Sequence, residues 1–180
     1  MQSSVCRREL SQLVIVDVQE KLCAAMEPSA LAAVVKNCGI LLQAARLLEI
    51  PVLHTEQYPQ GLGATIADLR GENAIAKTAF SCADEPAFAA RLRRDRPQIT
   101  LAGMEAHICI LQTALQLQGL GKQVFVVEDA VISRRDANKQ NALARLRHAG
   151  VIVTNTESVV FEWLKVAEGD AFKQISKLVR

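Results

Sequence analysis

Six short apolar runs, separated by stretches of helical periodicity, set the limits on how this chain folds. The runs lie at 13–16, 51–54, 74–76, 99–102, 124–127 and 151–153. They are continuous and mostly β-branched rather than alternating, the pattern of strands buried on both faces. Between the first two, Leu31, Val34, Val35, Cys38, Leu41, Leu42, Ala45 and Leu48 recur at the i, i+3, i+4, i+7 spacing of an amphipathic helix. The stretches 85–92, 106–117 and 137–148 follow the same rule, Gly150 stands where a helix-ending glycine belongs, and 157–179 reads as one or two closing helices. Alternation of strand and helix throughout predicts a three-layer α/β fold, a six-stranded parallel sheet with helices on both faces. With 180 residues and no linker, repeat or low-complexity tract, the chain reads as one domain over 1–180.

Composition narrows the function classes. The net charge is +2, and the densest basic stretch, 91–96, has no interleaved aromatics and reads as the solvated end of a helix. Nucleic acid is therefore not an expected partner. No run reads as membrane-spanning and no leader pattern precedes the first strand, so no membrane partner and a cytoplasmic location are expected, with a mitochondrial one left open by Arg7 and Arg8. The five cysteines, Cys6, Cys23, Cys38, Cys82 and Cys109, include no C-x-x-C pair. That argues against a zinc or dithiol site, and free thiols fit a reducing compartment.

In open parallel sheets, ligands bind beyond the carboxyl ends of the strands. At those ends stand Asp17, then His54, Thr55 and Glu56, then Lys77, then 104–109, then Glu128 and Asp129. A carboxylate, an ammonium and a thiol thus converge on one sheet edge. Each also has a plainer reading: Asp17 as a turn residue, Lys77 as a solvent-facing cation, Cys109 as a small buried apolar side chain. Cys109 falls in the first turn of the helix after the fourth strand, where unpaired backbone N–H groups favour thiolate over thiol. Asp17 directly follows four apolar residues, so its carboxylate is expected to be desolvated and able to accept a thiol proton.

These residues resemble the isochorismatase-like cysteine hydrolases, a family that includes nicotinamidases and related amidohydrolases. The resemblance rests on LVIVDVQ at 13–19, KTAF at 77–80, AGMEAHICILQTA at 102–114, and VVEDA at 126–130 followed by Ser133 and Arg134. The segment TEQYPQGLG at 55–63 is most similar to a branch whose substrate is poorly defined. The resemblance implies a sheet of order 3-2-1-4-5-6 and a triad of Asp17, Lys77 and Cys109. It also implies a non-proline cis peptide at Met104–Glu105 and an oxyanion hole formed by the N–H groups of Glu105 and Cys109. In that order the third strand is two positions from the first, roughly 10 Å away, so Lys77 must reach across.

Two departures bear on the chemistry. Nicotinamidases carry a metal site near the second strand, but here His54 has no second histidine nearby, so neither a metal nor another cofactor is expected. The cysteine favours covalent amidase chemistry on a small C–N substrate over vinyl-ether hydrolysis. Gln19, Tyr58, Phe80, Met104 and His107 are the expected pocket residues, with His107 either touching substrate or capping the helix. The remaining readings are a non-catalytic scaffold and a thiol redox sensor, the latter without a recognisable resolving cysteine. The apolar succession Val159, Val160, Phe161, Trp163 and Leu164 suggests a face covered by a second subunit, the alternative being packing on its own sheet.

Overall fold

A computed structural model describes residues 4–180. The six expected runs become β1 (Ser11–Val16), β2 (Val52–Gln57), β3 (Ile75–Lys77), β4 (Gln98–Met104), β5 (Gln123–Ile132) and β6 (Ile152–Thr154). All neighbours pair in parallel, in the order β3-β2-β1-β4-β5-β6. The helices are α1 (Glu20–Cys23), α2 (Pro28–Leu47), α3 (Pro59–Leu62), α4 (Pro86–Arg91), α5 (Leu111–Gly119), α6 (Asp136–His148), α7 (Thr156–Leu164) and α8 (Gly169–Leu178).

Strand alternation divides the interior into two cores. Leu13 and Ile15 of β1 point to the side covered by α2, α7 and α8, where Val34, Cys38, Leu41, Trp163 and Ile175 meet them. Val14 and Val16 point to the opposite side, against Phe88 of α4, Leu117 of α5 and Leu146 of α6. Local chemistry fixes the helix ends. Glu27 caps α2 by accepting from the backbone N–H of Ser29 and Ala30 at 3.0 and 2.7 Å, with Pro28 at the first helical position. Gly150 closes α6 with φ 84° and donates to the Arg147 carbonyl at 3.1 Å.

Gly103 admits the close approach of β1 and β4. Its φ is +119°, and a Cβ there would fall 2.1 Å from the Val16 carbonyl oxygen. The backbone directly below Asp17 can therefore lie against β4 only because residue 103 has no side chain.

Three expectations are corrected. First, β5 does not stop at residue 127. It continues to Ile132 through a register shift, in which Leu101 pairs with Val126 but Gly103 pairs with Val131. The bulge absorbs Glu128 and Asp129 into the strand. Glu128 pairs with Arg147, and Asp129 accepts the backbone N–H and hydroxyl of Thr156, each at 2.8 Å, at the start of α7. Neither carboxylate stands at the functional edge. Second, the 20-residue α2, with mean hydropathy 1.3, is long and apolar enough to cross a membrane by length and composition. Periodic polar residues hide that length from a search for unbroken apolar runs, and here its apolar stripe packs on the sheet. Third, Val159, Val160, Trp163 and Leu164 are buried in the chain's own core, and Phe161 packs against Phe172 with ring centroids 6.4 Å apart. The apolar character of α7 is thus spent internally, which removes it as an argument for a second subunit.

Candidate active site

β1, β3 and the turn after β4 bring Asp17, Lys77 and Cys109 together. Lys77 Nζ lies 2.8 Å from Asp17 Oδ2 and 3.7 Å from Cys109 Sγ. The residues are 0 %, 2 % and 6 % exposed in that order, so the cluster is desolvated. Lys77 spans β2 to reach Asp17, and Gln57 supports the crossing. Gln57 pairs with Lys77 in the β2–β3 register, and its Oε1 accepts from Nζ at 2.6 Å. The carbonyls of Ala79 and Phe80 accept from the same ammonium, each at 3.2 Å.

Asp17 has φ 52°, which turns the chain sharply out of β1. Its Oδ1 accepts the Thr55 hydroxyl at 2.7 Å, while Oδ2 faces Lys77 and takes no other hydrogen bond. Thr55 and Gln57 are two residues apart on β2 and share a face. The sequence reading places Thr55 at a strand end without a role and leaves Gln57 unassigned. The period-two spacing behind Lys77 was the available signal.

The segment between β4 and α5, Ala106–Ile110, is one turn of π-helix, and Cys109 lies within it. The amides of Ile108 and Ile110 donate to the Glu105 carbonyl at 3.1 and 3.3 Å, on either side of Cys109. Met104–Glu105 is a cis peptide. Glu105 is anchored by its carboxylate, which accepts the Arg134 backbone N–H at 3.0 Å and Nε at 3.2 Å.

The thiol is not ionised at rest, contrary to the expectation from its helix position. Burial pushes Cys109 up to about 12, and the Asp17 carboxylate adds to the rise while the Lys77 ammonium pulls against it. Burial also opposes charge on Lys77, but the Asp17 carboxylate beside it acts the other way, and the balance holds the ammonium up. The resting state is therefore an Asp17–Lys77 ion pair beside a neutral thiol. Cys82 adjoins the group, with its Sγ 3.8 Å from Thr55 Oγ1 and its backbone N–H donating to Thr113 at 2.9 Å. Burial pushes that thiol up as well, to about 11.

The expected pocket residues divide. Tyr58 and Phe80 are about half-exposed beside the Lys77 loop, where Tyr58 N–H donates to the Lys77 carbonyl at 2.8 Å. Met104 is corrected: it is wholly buried in the α2-side core, because alternation along β4 turns it away from the Cys109 side. Gln19 is also corrected. Its amide donates to the carbonyls of Gln57 and Gly63 at 3.0 and 2.6 Å and accepts from the Gln57 N–H at 2.7 Å, so it ties down the 57–63 loop. His107 takes a third course, bridging Ser133 at 2.9 Å and Asn138 at 3.4 Å. Among the described residues no three His, Cys, Asp or Glu side chains converge as metal ligands, and His54 stands apart from Glu56, which accepts from Thr65 at 2.7 Å. The residues present do not fit a nicotinamidase-type metal.

The isochorismatase domain model matches residues 11–158, most of the chain. The chain belongs to the isochorismatase family. Isochorismatase domain-containing protein 2A of Mus musculus is 38% identical over 178 residues, covering 96% of this chain and 84% of that one. Isochorismatase domain-containing protein 2 of Homo sapiens is 40% identical over 175 residues, covering 94% and 83%. Among solved isochorismatase-fold structures, a protein described as MAR1 ribonuclease from Caenorhabditis elegans superposes with a TM-score of 0.88 at 34% identity, covering 96% of this chain and 91% of that one. The YcaC hydrolase of Escherichia coli, described as octameric and of unknown specificity, superposes at 0.89 with 20% identity over 99% and 92% of the two chains. Family membership supports hydrolytic function in general.

Proposed function

We propose that this isochorismatase-family protein is a cysteine hydrolase of small amides or related C–N bonds, acting through a thioester on Cys109. The observation that carries the reading is the buried Lys77 ammonium, 2.8 Å from Asp17 and 3.7 Å from Cys109. In this reading Asp17 takes the Cys109 proton as the sulfur attacks the carbonyl carbon. A thiol that is neutral at rest suits this order, because the proton leaves only as the new bond forms. The N–H groups of Glu105 and Cys109 hold the oxyanion, each worth a few kcal/mol. Lys77 pairs with the Asp17 carboxylate beforehand and balances charge afterwards. Asp17 then delivers the proton to the leaving amine, and water cleaves the thioester.

The half-exposed rings of Tyr58 and Phe80, beside the Lys77 loop, favour a compact substrate over a peptide in this reading. The same half-exposed rings support a homo-oligomer in which a neighbour covers them. Five free cysteines support a reducing compartment, the cytosol in the first instance.

The test is a screen of small amides and ureides against the wild type and Cys109→Ala. Turnover of at least one substrate, lost in the variant, is expected. Because a relative bears the name ribonuclease, an RNA oligonucleotide belongs in the same screen. Cys109-dependent RNA cleavage without amide turnover would replace this reading. No turnover on any substrate, with a correctly folded protein, would favour the scaffold.

A further inference from the structure

β1 and β2 run side by side as far as Asp17, whose N–H donates to the Thr55 carbonyl at 3.1 Å. One step further along an unbroken parallel ladder, Gln57 would donate to the Asp17 carbonyl and accept from the N–H of residue 19. Instead Asp17 leaves the strand with φ 52°, and the Gln19 N–H folds back onto the Asp17 carbonyl at 2.8 Å. The wholly buried side chain of Gln19 stands in for the missing peptide. Its Oε1 accepts the Gln57 N–H at 2.7 Å, and its Nε2 donates to the Gln57 carbonyl at 3.0 Å. A side-chain amide can do this because, like a peptide, it offers both an acceptor and a donor. On the β3 side, the Tyr58 N–H donates to the Lys77 carbonyl at 2.8 Å. The backbone at Gln57 is thus fixed from both sides at the point where β1 has turned away.

The Gln57 side chain is fixed as well. Its Nε2 donates to the Thr78 carbonyl at 2.7 Å, which leaves Oε1 as the atom turned to Lys77. Oε1 accepts from Nζ at 2.6 Å, the shortest contact of the ammonium. Asp17 follows at 2.8 Å, the carbonyls of Ala79 and Phe80 at 3.2 Å each, and Cys109 Sγ at 3.7 Å. The two carbonyls belong to the loop that follows Lys77 itself, and the sulfur contact is the longest. Without Gln57 the ammonium keeps its counterion and its own loop, and the contact it gives up is the one to sulfur. A carboxylate in place of the amide would act differently. It would accept the same hydrogen bond but set a second negative charge beside Lys77, so that the ammonium favours a thiolate less.

We propose that Gln57 is a positioning residue that holds the Lys77 ammonium against Asp17 and Cys109 together, and that an amide stands there because it accepts a hydrogen bond without adding charge. The proposal deepens the cysteine-hydrolase reading and rests on it for turnover, but its effect on the thiol is read without a substrate. The groups that act on the charge of Cys109 are Asp17 just after β1, Lys77 at the end of β3 and Cys82 in the turn beyond it. Cys82, pushed up to about 11 by burial, stays a neutral thiol over most of the range used below. That leaves the Asp17 carboxylate and the Lys77 ammonium, with Gln57 as the neutral third partner of the cation.

Iodoacetamide labelling of Cys109, followed by mass spectrometry on the full chain as wild type, Gln57→Glu and Gln57→Met, tests it. Between about pH 8 and 10 the thiol lies below its pKa, so the labelling rate follows the thiolate fraction, and each tenfold is about one pKa unit. Gln57→Glu is expected to label about tenfold more slowly than the wild type. Gln57→Met, similar in length and without an acceptor, is expected to label severalfold more slowly. A residue that only held the 57–63 loop would, on loss, open the site and leave Cys109 labelled as fast or faster. Urea denaturation checks that both variants fold, and if methionine does not, the closely isosteric glutamate variant carries the test. On a substrate that the wild type turns over, both variants are expected to lower kcat about tenfold with KM nearly unchanged, since Gln57 acts through Lys77 and not on the substrate. Wild-type or faster labelling in either folded variant would overturn the proposal, even with turnover intact, and so would a change confined to KM. Slowed labelling in a protein that turns over no substrate would support the role of Gln57 at the thiol and count against the hydrolase reading instead.

Discussion

Asp17 and Cys109 compete for one cation, and that competition can be measured residue by residue. With Asp17 ionised, the Lys77 ammonium already has its counterion, and burial together with the carboxylate holds the thiol up to about 12. Replacing Asp17 by Asn removes the charge that raises Cys109 and leaves Lys77 to pair with a thiolate. The pH midpoint of Cys109 alkylation should then fall by a unit or more, about 1.4 kcal/mol per unit, while turnover is lost because no base remains. Iodoacetamide labelling followed by mass spectrometry across pH reads the midpoint, and an unchanged or higher value would contradict this electrostatic account. Thr55 gives a second residue-level expectation. Its hydroxyl satisfies Asp17 Oδ1 at 2.7 Å in a site closed to water. Thr55→Val should cost about 1–3 kcal/mol in stability or transition-state binding, and Thr55→Ser should restore most of it. If valine matches the wild type in both denaturation and turnover, Thr55 does not hold Asp17.

At the scale of elements, the turn of β1 against β4 sets the separation of carboxylate and thiol. Gly103→Ala would place a Cβ 2.1 Å from the Val16 oxygen at a φ of +119°, forcing the strands apart. A loss of at least ~2 kcal/mol is expected, with a lower urea midpoint, and a smaller loss would show that β4 relaxes freely. These same elements mark what a sequence can disclose. The strands and the α2, α6 and closing-helix positions follow from periodicity, which packing preserves, whereas the strand order was implied by the family resemblance alone. The π-turn around Cys109 does not, because its residues keep a helical apolar pattern and the extra residue per turn leaves no mark on that pattern. The β5 bulge was hidden in the same way: Glu128 and Asp129 look like a strand end until the partner register is known. Met104 and Gln19 were misplaced for a related reason. Proximity in sequence to a reactive group does not say which face of the strand a side chain takes, nor whether backbone carbonyls will use up its amide.

For the whole molecule, Tyr58 and Phe80 leave two half-exposed rings beside an otherwise buried cluster. Light scattering at micromolar concentration is expected to show a homo-oligomer, with Phe80→Asp shifting it toward monomer; a strict wild-type monomer would remove that expectation. The finished fold also builds something that no segment of the chain holds by itself. Around Lys77 Nζ stand Asp17 Oδ2, Gln57 Oε1 and the carbonyls of Ala79 and Phe80, at 2.8, 2.6, 3.2 and 3.2 Å, supplied by the residue after β1, the end of β2 and the loop after β3. An ammonium has three hydrogens to share among these four oxygens, so the arrangement resembles the coordination shell of a desolvated monovalent cation more than a set of paired bonds. If Lys77 were shortened to alanine, that shell would persist as a vacant oxygen cage, and methylammonium added from solution should enter it and recover part of the lost turnover, where the bulkier tetramethylammonium would not.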